Sequence, residues 1–79
     1  MKVLDGGFAD PVNLTSSAIA EVAYDDHDRL LQVEFRDGSV YVYLAVPPTV
    51  YHGLLGAQSQ GTYFNRAIRS AYAYFCKPR

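Results

Sequence analysis

The chain has no tryptophan, a single cysteine, no acidic residue after position 40 and no long apolar run. Each absence excludes something. Cys76 alone cannot close an internal disulfide, so no covalent staple supports the fold and a reducing compartment, the cytoplasm, is the expected setting. No stretch approaches the roughly 18 apolar residues that a membrane span needs, so no membrane association is expected. The opening MKVLDGGFADP is broken by Asp5, Gly6 and Gly7 before the apolar region of a signal peptide forms. There is no GxSxG elbow, Walker loop or dinucleotide fingerprint. Ser16, Ser17, Ser59, Cys76, His27 and His52 provide no nucleophile with a positioned base, so neither enzymatic activity nor a small-molecule cofactor is expected. Asp25-Asp26-His27-Asp28 holds metal-ligating residue types, but it lacks the ligand ladder and fixed glycine of a calcium loop and reads as a solvated turn.

What is present points to one small folded domain. At 79 residues and 49% hydrophobic, the chain is globular in composition. A core of this size supplies only about 3–5 kcal/mol of net stability. A homodimer or other protein partner is therefore one expectation. Seven tyrosines supply most of the aromatic area, each with a hydroxyl that seeks a hydrogen-bond partner. All eight acids precede position 41, whereas Arg66, Arg69, Lys77 and Arg79 follow it. Such an asymmetry either marks a surface for nucleic acid or another anion, or vanishes when the halves interleave.

Residues 1–15 carry Gly6, Gly7, Pro11 and Asn13 without sustained periodicity, and read as a flexible or loosely docked arm ahead of a single domain over 16–79. Ala18 to Tyr24 forms a short apolar run that ends in a polar turn. Leu31, Val33 and Phe35 alternate with Gln32 and Glu34, and Ser39 to Ala45 follows Asp37-Gly38 as a third strand. Pro47-Pro48 stops the sheet and suits the first turn of a helix. Val50, Leu54 and Leu55 give that helix an apolar side, and Gly56 is placed to terminate it. A second helix is predicted from the N-cap Ser59 through TYFNRAIRSA, with Phe64, Ala67, Ile68 and Ala71 on one face and Asn65, Arg66 and Arg69 opposite. The tail from Tyr72 is expected to dock as an extended segment. The predicted fold class is α+β, a three-stranded antiparallel meander followed by two short helices packed on one face of the sheet.

The segments SSAIAEVAYD (Ser16–Asp25), YVY (Tyr41–Tyr43), VPPTVY (Val46–Tyr51), SQGTYFNRAIR (Ser59–Arg69) and YAY (Tyr72–Tyr74) together resemble the KTSC domain, a short module named for the C-terminus of some lysyl-tRNA synthetases. The synthetase context implies RNA binding. The resemblance also bears on the turn at Asp37-Gly38. A two-residue loop would pair Val33 with Val42 and leave Tyr41 and Tyr43 outside. A three-residue loop with a bulge at Gly38 would pair Val33 with Tyr41 and Leu31 with Tyr43, turning both rings inward. Local chemistry favours the first register. The resemblance favours the second, because related sequences place a polar residue between the tyrosines. The bulged register is the one expected here.

The candidate binding residues are Ser59, Gly61, Tyr63, Asn65, Arg66, Arg69, Tyr72, Tyr74 and Lys77. A helix N-terminus offers free N–H groups to an anion, and Gly61 lets a phosphate approach the backbone. Arg66, Arg69 and Lys77 supply charge, while Tyr63, Tyr72 and Tyr74 supply rings on which bases stack. The competing reading makes Ser59 a cap, Gly61 a packing residue, the tyrosines core or rim, and Asn65 and Arg69 tethers between helix and sheet. The expected function is a non-catalytic accessory module for RNA or single-stranded nucleic acid, the alternative a protein-interaction or self-association module using a sheet edge or a tyrosine-lined groove.

Overall fold

The alternation in Leu30–Phe35 is realised as the middle strand of a sheet whose one face is apolar. The computed structural model describes residues 8–78. Within them, β1 (Val12–Asn13), β2 (Ile19–Asp25), β3 (Leu30–Phe35), β4 (Val40–Tyr43) and β5 (Tyr74–Cys76) form an antiparallel sheet in sequential order. Helices α1 (Pro48–Gly56) and α2 (Gln60–Ala67) lie between β4 and β5 in the chain. The meander expected from the sequence is the centre of this sheet, and two short edge strands extend it to five. Their two and three residues are too few to display a period. They are strands because β2 and β4 present unpaired edges.

The register between β3 and β4 is the bulged one. Leu31 faces Tyr43, Val33 faces Tyr41, and Glu34 faces Val40. Phe35 N–H donates to Ser39 O and Gly38 N–H donates to Phe35 O, both at 2.9 Å, closing a loop of Arg36, Asp37 and Gly38. Gly38 sits at φ 93°, where a side chain would be strained. Tyr43 is consequently 2% exposed and Tyr41 half-buried, on the face that carries Leu31 and Val33.

Both helices cover that face. Tyr51 and Leu54 from α1, and Phe64 with the adjoining Ile68 from α2, join Ile19, Val22, Tyr24, Leu31, Val33 and Tyr43 in the core. Pro47 caps α1 and Pro48 opens it. Ser59 caps α2, its Oγ accepting the Thr62 N–H at 3.4 Å. Gly56 is not the left-handed terminator expected; it is the last helical residue, and Ala57 caps the helix in extended conformation. Nor does α2 run to Ala71. Ile68 departs from helical geometry at φ −121°, because its side chain is committed to the core and the chain must turn back toward β5. Gly53 has a packing reason. A Cβ there would lie 2.2 Å from the Tyr63 hydroxyl, which donates to Val50 O at 3.0 Å.

Part of the arm is structural. Ala9 N–H donates to Tyr24 O and Leu14 N–H to Ala20 O, each at 3.0 Å, and Leu14 is buried in the core. The Arg36 guanidinium fastens the segment by donating to Leu14 O at 2.9 Å and to Ser16 O at 3.1 Å. The arm reading for residues 1–7 lies outside the described residues. For Leu14, the single apolar side chain was invisible as core because no periodic neighbours announced it.

Two measurements check this packing. Leu14→Ala should cost at least about 2 kcal/mol as a core truncation, which is a fall of about 8 °C or more in the unfolding midpoint of a domain this small. Gly53→Ala should destabilise through the Tyr63 clash, whereas Gly56→Ala, with nothing within 4 Å of the added carbon, should stabilise by up to about 1 kcal/mol. Equal effects at the two glycines would refute the account of Gly53.

Candidate functional site

Because α2 ends at Ala67 and β5 lies at the sheet edge, the helices leave the β4–β5 side of the core face partly open. The opening is a groove of about 660 Å³ floored by Phe35, Tyr41, Tyr43, Phe64 and Tyr74. Gly61, Asn65 and Arg69 form one wall, and Arg36 and Asp37 of the hairpin form the other. A shallower hollow of about 430 Å³ at the start of α2 shares Ala18, Gly61 and Asn65 with it.

The floor is a tyrosine cluster. Tyr41 and Tyr74 stack with centroids 5.0 Å apart and planes 17° apart. Tyr43 lies 5.2 Å from Tyr74, its partner across the strands, and 6.4 Å from Tyr41. Phe64 closes edge-on over Tyr43 at 5.5 Å, and Phe35 stands edge-on to Tyr41 at 5.3 Å. Burial pushes the Tyr43 phenol up to about 12, with Tyr74 adding to the rise and the Arg69 guanidinium opposing it. At neutral pH the group is thus a firmly protonated donor. Tyr74 keeps 52% of its surface exposed.

The groove gathers Gly61, Asn65, Arg69 and Tyr74 from the residues expected of a site. Ser59 lines only the shallower hollow. At Gly61 the backbone is approached by the chain itself, since a Cβ there would stand 3.3 Å from Ser16 Oγ. Tyr63 faces α1, where its hydroxyl meets Val50 O, and Tyr72 is half-buried against the core. Arg66 is exposed on α2 and lines neither hollow. Lys77 is on the opposite sheet face, where its Nζ donates to Gln32 Oε1 at 2.8 Å. Strand alternation from Cys76, which faces Tyr41, sends it there. Sequence reasoning left out Tyr41, Tyr43 and Arg36 as site residues. The bulged register already turned the two tyrosines toward the helices, but the early end of α2, which uncovers them, had no local signal.

The opposite face carries Glu21 and Glu34 directly across from one another on β2 and β3. Burial, then the facing Glu34, raises the Glu21 carboxyl above its ordinary 4.5. At the β2–β3 turn, Asp25 is not solvated as expected. It is buried, and its Oδ1 accepts the N–H groups of His27 and Asp28 at 3.0 and 3.1 Å. Among the described residues no group of three His, Cys, Asp or Glu is placed to hold a metal ion. No helix among them is long and apolar enough to cross a membrane.

Glu21 binds its proton more tightly in the folded chain than in the unfolded one, so stability falls as pH rises from 4.5 through the raised value. Glu21→Gln should therefore raise the thermal midpoint at about pH 7, and the gain should vanish below 4.5. A gain that persisted in acid would show that charge is not its cause.

Comparison with known proteins places these features in a family. The KTSC domain model matches residues 15–72. An uncharacterised protein of Stutzerimonas stutzeri is 43% identical over 58 residues, covering 73% of this chain and 82% of that protein. A lysine-tRNA ligase of Nostoc punctiforme is 38% identical over 58 residues, 73% of this chain but 10% of the ligase. The crystal structure of a KTSC domain protein from Yersinia pestis superposes with a TM-score of 0.83 at 28% identity, covering 87% of this chain and 97% of that one.

Proposed function

The chain belongs to the KTSC domain family, and from that premise we propose that it is a non-catalytic, cytoplasmic accessory module that binds single-stranded RNA in the groove beside α2. The observation that carries the reading is the Tyr41–Tyr74 stack in the groove that Arg69 also lines, with Tyr74 still 52% exposed. A base laid on the exposed part of Tyr74 extends that cluster by stacking, an interaction worth about 1–3 kcal/mol per base and tolerant of sequence. Arg69 supplies charge for the neighbouring phosphate, and Asn65 supplies amide donors and an acceptor for a base edge or ribose. The same domain recurs both in chains of about this size and as about a tenth of ligases named for tRNA, which fits an accessory role.

A second reading rests on the free edge of β5, where Tyr74 is 52% and Phe75 50% exposed. Unpaired backbone groups flanked by exposed rings suit strand addition by a protein partner or by a second copy.

Among the described residues, only Arg36 and Arg69 bring positive charge to the groove. At about 0.7 per phosphate contact, the slope of log affinity against log salt should be about 1.4, a loss of about sevenfold between roughly 50 and 200 mM salt. Arg69→Gln should lower the slope by about 0.7, and Arg66→Gln or Lys77→Gln should change it little. Titration of a labelled single-stranded oligonucleotide measures both. Absence of binding at high micromolar protein, with a doubled mass in solution that Phe75→Lys abolishes, would replace this reading with the edge-strand one.

A further inference from the structure

The hydroxyls of the groove tyrosines have no use inside the chain. Tyr24 and Tyr63 donate theirs to the carbonyls of Val46 and Val50. Tyr43 is 2% exposed, yet within the described residues its hydroxyl has no hydrogen-bond partner, and neither has that of Tyr41 or Tyr74. Among the described residues, Asp25 Oδ2 is the one polar side-chain atom sealed off without a partner, so the Tyr43 hydroxyl is not sealed off. It follows that this hydroxyl is the part of Tyr43 that reaches the groove. A hydroxyl that reaches the groove with no partner in the fold is a donor left for a ligand.

The three rings project from one face of adjacent strands, lie within 37° of parallel and line one groove. Arg69 borders the same groove, and its charge, with Tyr74 and Tyr41, acts on the Tyr43 phenol. Three neutral donors and one guanidinium are a site for an oxyanion of low charge. Asp37 lines the groove as well, with Oδ1 taken by Ser39 N and Oγ at 2.9 and 2.7 Å.

We propose that the hydroxyls of Tyr41, Tyr43 and Tyr74 and the guanidinium of Arg69 form an oxyanion site, which, resting on the RNA reading above, holds one internal phosphodiester of the bound strand.

The test uses the full chain and four probes: a short single-stranded RNA, dimethyl phosphate, inorganic phosphate and acetate, each followed by NMR titration of the Arg69 side chain and the tyrosine rings. Tyr43→Phe should weaken both RNA and dimethyl phosphate by about tenfold or more, the value of one hydrogen bond to a charged group. The same variant should be no less stable than the parent, because it deletes an unpaired hydroxyl. Tyr24→Phe should do the reverse, losing stability and keeping affinity. Tyr74→Phe, which keeps the ring and its stack on Tyr41, repeats the binding test. RNA that binds Tyr43→Phe and Tyr74→Phe as tightly as the parent overturns the oxyanion site and leaves the RNA reading standing. Dimethyl phosphate that binds at Tyr43 and Arg69 while RNA does not bind supports the site and overturns the RNA reading. Acetate binding as well as dimethyl phosphate overturns the choice of phosphate in favour of a peptide carboxylate, and a preference for inorganic phosphate at alkaline pH overturns the internal phosphodiester in favour of a terminal one. No response to any probe overturns both proposals.

Discussion

A single backbone conformation governs the placement of the groove's three tyrosine rings. Gly38 at φ 93° lets three residues, Arg36, Asp37 and Gly38, turn β3 into β4, and Asp37 Oδ1 holds the turn by accepting from Ser39 N and Oγ. The extra residue reverses the faces of β4 relative to a two-residue loop. Tyr41 and Tyr43 go to the helix side, and Val42 goes to the other, where it faces Gln32 and Phe75. The one-residue difference also decides what β5 meets. Tyr74 pairs with Tyr43 and stacks on Tyr41 only because those rings are on its own face. The groove is thus a product of the hairpin's loop length, although its most exposed ring lies more than thirty residues downstream.

Tyrosine in place of tryptophan has a structural consequence as well as a compositional one. Each ring contributes apolar area, and each hydroxyl must be accounted for. Tyr24 stacks on Tyr51 at 4.6 Å and its hydroxyl ties β2 to the Val46 carbonyl, holding the chain where it leaves the sheet for α1. Tyr63 ties α2 to α1 through Val50 O, and the space its ring needs explains a glycine in the middle of a nine-residue helix. These hydroxyls brace joints that a small core would hold weakly. On the β4–β5 side there is no third element to brace, and the hydroxyls open onto the groove.

The parts legible in the sequence were those with a local physical signature. Alternation in Leu30–Phe35, Pro47-Pro48 at a helix start and Ser59 at another each act within a few residues, and each appears where the pattern placed it. The bulged register was legible only through the family resemblance, since an Asp-Gly pair by itself favours the shorter loop. The first edge strand and Leu14 were not legible, whereas the tail was expected to dock as an extended segment and does so as β5. Val12–Asn13 and Tyr74–Cys76 acquire strand geometry from neighbours distant in sequence, and a lone leucine in a polar stretch has no pattern to betray it. The site was half legible for the same reason. Arg69, Asn65 and Gly61 were found together on the one predicted helix, although Arg69 lies just past the end of α2, whereas Tyr41, Tyr43 and Arg36 reach the groove through sheet pairing.

The charge asymmetry has a related resolution. The acid-rich half and the acid-free half do interleave, because β4 and β5 pair beside β3 and Lys77 reaches across to Gln32. What survives interleaving is local. Arg36, from the acidic half, and Arg69, from the other, meet across the groove with Asp37 between the hairpin and its rim. Arg36 is already bonded to the carbonyls of Leu14 and Ser16, so its position is fixed by the docked arm and not by a ligand. Arg69 has only a 3.4 Å contact to Asn65 Oδ1 one turn away, which restrains it weakly. One anchored cation and one lightly held cation therefore line the same groove.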